Sequence, residues 1–103
     1  MARSYSYKFL LDLQKADPTR LGVRLGRLCV EANLPAAYVS KALRTSRITV
    51  YAWFRGQGIR EENRKMVEAF ISLVEKDMEK GLLPVNNVMD AKLYIEQMIG
   101  EPI

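Results

Sequence analysis

Residues 35 to 54 read PAAYVSKALRTSRITVYAWF, and the apolar spacing within them decides the fold. Pro35 suits the first turn of a helix, where its missing N–H would have no intrahelical partner. Val39, Ala42 and Leu43 then recur at helical spacing and form a short apolar stripe. Arg44-Thr45-Ser46 reads as a tight turn, and Ser46 as the N-cap of a second helix whose Val50, Trp53 and Phe54 point inward. Arg55-Gly56-Gln57-Gly58 ends that helix, because glycine accepts the left-handed conformation at a helix C-terminus. Two short helices on a tight turn make a helix-turn-helix, the geometry that sets a helix into the DNA major groove.

The flanking sequence is helical on both sides. Tyr7 to Lys15 carries Phe9, Leu10 and Leu13 at helical spacing. Asp17 is placed to cap the next helix and Pro18 to open it. Leu21, Leu25, Leu28, Cys29 and Ala32 form one apolar face of that helix, which Asn33-Leu34-Pro35 stops. Gly22 and Gly26 each weaken it by up to about 1 kcal/mol relative to alanine. Their spacing also lets another helix approach closely. Downstream, Arg60 to Lys80 reads as one long amphipathic helix with Met66, Val67, Phe70, Ile71, Val74 and Met78 as its inner stripe. Its outward acids sit in helix-supporting i to i+4 pairs such as Glu61–Lys65. Gly81 closes it, Leu82 to Asn87 is a loop containing Pro84, and Met89 to Ile99 is a last helix with Leu93, Ile95, Met98 and Ile99. The expected fold is all-α, a compact bundle of about five to six helices. Residues 1–81 form the helix-turn-helix domain with its N-terminal helix. Residues 82–103 are a C-terminal loop and helix that either pack on the core or form a dimer surface.

Charge divides the chain. Up to Arg60 there are eleven Lys/Arg against three acids, Asp12, Asp17 and Glu31; from Glu61 onward five basic residues face nine acids. The first part is therefore suited to a polyanion. The chain has no histidine and a single cysteine, Cys29, which excludes a Cys/His zinc site, a Ser-His or Cys-His catalytic pair and an internal disulfide. No cofactor or small-molecule substrate is expected. No apolar run approaches the roughly 20 residues needed to span a bilayer. No secretory signal is read in MARSYSYKFLLDLQKAD, so no membrane partner and a cytoplasmic, nucleoid-associated location are expected.

From about Leu21 to Val74, half of the chain, the sequence resembles the lambda-repressor-like, Cro-type family of helix-turn-helix DNA-binding regulators. The stretches RLGRLCVEANLP, VSKAL and TSRITVYAWFRG carry the resemblance, with Val39, Ser40, Ala42, Leu43, Ser46, Arg47, Val50, Trp53, Arg55 and Gly56 at the recurrent positions. It implies a recognition helix beginning after Ser46, with Arg47, Ile48, Tyr51 and Ala52 facing the bases. Arg47 suits bidentate pairing with guanine, and Ile48 suits a thymine methyl. It also implies backbone contacts from Ala36, Lys41, Arg44, Ser46, Thr49, Arg55 and Gln57. Ala36 stands where a polar residue is usual and brings no donor of its own. Arg44 stands where glycine is usual, at a turn position needing positive φ, which costs an arginine about 1 kcal/mol. The segment Arg3-Ser4-Tyr5-Ser6-Tyr7-Lys8 reads either as a basic, aromatic arm for DNA or as an ordinary helix lead-in.

The function expected from these features is a DNA-binding transcriptional regulator, for instance a repressor, acting on double-stranded DNA as a homodimer. The rival is a helix-turn-helix protein-interaction module or nucleoprotein assembly factor, such as a phage protein, because Ile48, Tyr51 and Ala52 are poor hydrogen-bonding readers. An enzyme is not expected, and the GQG after Arg55 is too short to be a phosphate loop.

Overall fold

Local hydrogen bonds and left-handed residues set several of the helix ends. The computed structural model describes residues 5–103. Helix α1 (Tyr7–Lys15) is capped by Ser6, whose Oγ accepts from the Phe9 N–H at 3.1 Å. Helix α2 (Leu21–Ala32) begins three residues later than Pro18 would place it, after Arg20 as an uncapped first residue. Asp17 does not cap it. Its carboxylate accepts from the Thr19 N–H and the Thr19 hydroxyl, at 2.9 and 2.7 Å, and so closes a turn over Pro18 instead. The same bonds hold the exposed Asp17 carboxyl below its ordinary pKa.

Asn33, in the left-handed region at φ 62°, terminates α2, and its Nδ2 donates to the Val85 carbonyl 2.9 Å away. Pro35 takes the N-cap position of helix α3 (Ala36–Ala42), one residue outside the first turn. Residues Leu43 to Ser46 make the turn into helix α4 (Arg47–Phe54). Ser46 caps α4 by accepting from the Thr49 N–H at 3.1 Å. Helix α5 (Glu61–Glu79) carries Glu61 and Glu62 in its first turn, where the helix dipole favours them. It ends before Gly81, at φ 78°. Helix α6 (Val88–Ile99) is capped by Asn87, which accepts from the Asp90 N–H at 2.8 Å.

The close approach of α2 and α4 organises the interior. A Cβ on Gly22 would lie 2.1 Å from the Trp53 carbonyl oxygen, and one on Gly26 would lie 3.0 Å from the Phe54 ring. The two glycines therefore let the backbone of α2 rest on α4. Leu25, Cys29, Leu34, Val39, Val50, Phe54, Val67, Ile71 and Val74 fill the core between α2, α3, α4 and α5. Burial pushes the Cys29 thiol well above its ordinary pKa. Helix α6 folds back on α3 and buries Ala91 and Ile95, while Leu93 stays outward. Tyr5 donates its hydroxyl to the Leu34 carbonyl.

The result is six helices with no strand among the described residues. The radius of gyration of 12.6 Å is that of a compact chain of this length. No helix of the described residues is long and apolar enough to cross a membrane. The expected Glu61–Lys65 pairing is not formed. The ion pairs among the described residues are Arg24–Glu75 at 3.1 Å, tying α2 to α5, and Arg64–Glu68 at 4.0 Å.

Candidate nucleic-acid interface

Helix α4 is only eight residues long, and its periodicity assigns nearly every side chain. Val50, Trp53 and Phe54 face the core. Arg47 and Ile48 face out, and Ile48 is 79% exposed. Thr49, Tyr51 and Ala52 lie between, half-buried. The outward face therefore opens with one cation and one aliphatic side chain.

The polar residues near it differ in how free they are. The Ser46 hydroxyl accepts from the Thr49 N–H and donates to Thr49 Oγ1 at 2.9 Å, so both hydroxyls are engaged in starting the helix. Tyr51 is part of an aromatic cluster. Its ring meets Phe9 edge-on, with centroids 5.3 Å apart, and also packs edge-on against Phe54 and Tyr5. Such pairs add about 0.5–1.5 kcal/mol beyond area burial. The ring thus fastens α1 to α4, and no hydrogen bond among the described residues uses its hydroxyl.

Cations flank this face. Lys41 and Arg44 are exposed at the end of α3 and in the turn. Arg44 takes φ 54°, the left-handed conformation expected of that position. Beyond α4, Gly56 at φ 105° turns the chain so that Arg55 and Gln57 are both exposed. On one flank, Lys8 and Asp12 of α1 share a shallow cleft with Tyr51 and Arg55. On the other, Thr49 shares a cleft with Gln57, Arg60, Glu62 and Asn63. Gln57 also borders a third cleft, where Arg20, Arg24 and Arg64 converge.

One expectation is corrected here, and of the two readings of the segment before α1 the helix lead-in is the one found over the described residues. Ala36 is 2% exposed and packs in the core, so it does not reach a nucleic-acid backbone. The arm reading fails at Tyr5, which is buried; desolvation, with the nearby Cys29 and Tyr51, pushes its phenol far above the ordinary pKa. Ser6 is a helix cap. Arg3 and Ser4 lie outside the described residues. Lys8 keeps an exposed position beside α4, but from within α1.

Arg20, Arg24, Arg60 and Arg64 were not singled out by sequence reasoning. Their i, i+4 spacing on two helix starts is visible in the sequence. The convergence of Arg20, Arg24 and Arg64 is not, because it depends on α5 packing against α2. Comparison with protein-family models, with curated proteins and with solved structures gives no match for this chain.

Proposed function

We propose that this protein binds double-stranded DNA by laying α4 in the major groove and acts as a transcriptional regulator of the lambda-repressor-like, helix-turn-helix kind. The observation that carries the reading is the ring of cations around an outward helix. Lys41, Arg44 and Arg47 stand at its start, Arg55 at its end, and Lys8 and Arg60 on its flanks. Asp12 and Glu62 are the acids in the flanking clefts. A polyanion is attracted to such a surface, and phosphate contacts fix the register of a helix on the duplex.

Within this reading Arg47 is the base reader, through the acceptor pair of guanine, and Ile48 reads a thymine methyl. Ala52 and the edge of Tyr51 shape the contact, whereas Ser46 and Thr49 act by holding the helix start. Lys41, Arg44, Arg55, Gln57, Lys8 and Arg60 serve phosphates. With one guanidinium and one aliphatic side chain at the front, the preference spans few base pairs. Selection of bound duplexes from a random pool tests this. Arg47→Ala is expected to erase the preference at one base pair at a cost of about 1–3 kcal/mol. Equal weakening for every sequence would assign Arg47 to a phosphate instead.

A second reading rests on Ile48. An aliphatic side chain left 79% exposed at the front of a helix also suits a protein partner. In that case duplex binding would be weak or absent, and Ile48→Asp would abolish the protein contact.

A further inference from the structure

The clearest apolar surface outside α4 lies at the opposite end of the charge distribution. Between the outer faces of α5 and α6 and the loop joining them is a groove of about 440 Å³. Leu73, Leu82 and Leu93 line it, and Leu82 and Leu93 are 61% and 49% exposed. Met89 and Val88 extend the exposed apolar surface on α6. Asp77 and Asp90 line the same groove, and no Lys or Arg does. Tyr94 donates its hydroxyl to Asp77 at 2.6 Å, which fixes that carboxylate in the wall. Apolar grooves with a charged border on one side mark interaction surfaces.

The same chain carries the complementary surface. Tyr7, Leu11 and Lys15 recur at i, i+4 and i+8 on α1 and form one outward stripe. Tyr7 is 68% exposed although it is a large aromatic. The only acid on α1, Asp12, lies with Lys8 on the flank that faces Tyr51 and Arg55. The stripe is thus apolar with one cation, Lys15, and the groove is apolar with carboxylates. None of the residues lining the groove comes from α1, so one molecule can offer both surfaces at once.

We infer that the α5–α6 groove receives α1 of a second copy of this chain, so that the protein self-associates head to tail. Such a contact is heterologous: each copy uses two different patches and leaves one of each free. It extends into a chain of copies rather than stopping at a two-fold dimer. It needs no DNA, so it stands or fails independently of the proposed reading of α4.

Sedimentation of the full chain without DNA tests the inference, with circular dichroism confirming that each variant is folded. For the wild type, mass is expected to rise with concentration past the dimer, and to fall back as salt is added. Leu11→Asp, on the stripe, and Leu93→Asp, in the groove, are each expected to stay monomeric. An equimolar mixture of the two restores one intact stripe and one intact groove, and is expected to give a dimer and nothing larger. Lys15→Glu, which leaves the apolar surface intact, is expected to weaken the wild-type association. The inference is overturned if the wild type is monomeric at the highest concentration reached. It is also overturned if Leu93→Asp alone abolishes association while Leu11→Asp does not, the signature of a symmetric groove-to-groove dimer. A mixture that remains monomeric overturns it as well.

Discussion

Arg44 and Ile48 sit four residues apart and illustrate opposite compromises. Arg44 holds φ 54° in the turn before α4, a conformation that costs a residue with a Cβ about 1 kcal/mol. Glycine would adopt it freely, without the guanidinium that the proposed phosphate contact uses. Arg44→Gly is accordingly expected to raise stability by up to about 1 kcal/mol in denaturant melts while weakening duplex binding. A variant that binds as tightly as the wild type would remove Arg44 from the interface. Much of this was legible: the Ser46 cap from local chemistry, the inward Trp53 from the apolar period, and the positive φ at Arg44 from the family resemblance. Ala36 and Tyr5 did not follow. Ala36 lies in a stretch that looks like a surface contact in sequence and Tyr5 in one that reads either way; both are buried, Tyr5 with its hydroxyl on the Leu34 carbonyl.

Helix boundaries were legible wherever a cap decided them. Tyr7 to Lys15 follows from its apolar period and stands as read, and the span from Arg60 to Lys80, closed by Gly81, is helical over Glu61–Glu79. The start of α2 was displaced because Asp17 had a nearer use, the Thr19 turn. The pairing of α2 with α4 was legible only as a possibility, in the spacing of Gly22 and Gly26. Its meaning depends on which helix arrives opposite. The two glycines now separate into different predictions. At Gly22 an added methyl meets backbone, the Trp53 carbonyl at 2.1 Å, which cannot yield without moving α4. Gly22→Ala is expected to destabilise by about 1–3 kcal/mol despite its better helix propensity. At Gly26 the nearest atoms are the Phe54 ring at 3.0 Å and the Leu13 side chain at 3.2 Å, which can shift. Gly26→Ala is expected to change stability by less than about 1 kcal/mol, since the propensity gain offsets the crowding. Chemical denaturation of both variants checks the order, and equal losses would mean that α2 and α4 do not meet through Gly22.

At the scale of the whole molecule the charge division in the sequence becomes a spatial one. Cations from α1, α3, α4 and the loop after α4 gather around one outward helix, while the groove of α5 and α6 keeps two carboxylates among leucines. The division itself was legible by counting. Which cations stand together was not, because Lys8, Arg55 and Arg60 are brought beside α4 by the packing of α1 and by the turn at Gly56. The central claim is that this surface holds duplex DNA. Its most direct test is the salt dependence of binding to a labelled duplex, followed by fluorescence anisotropy. With Lys8, Lys41, Arg44, Arg55 and Arg60 on phosphates, the logarithm of affinity should fall against the logarithm of salt with a slope near −4.5, about a five-hundredfold loss between 50 and 200 mM. Removing one of these cations should make the slope shallower by about one. Absence of binding to any duplex at low salt, or affinity indifferent to salt, would contradict the account.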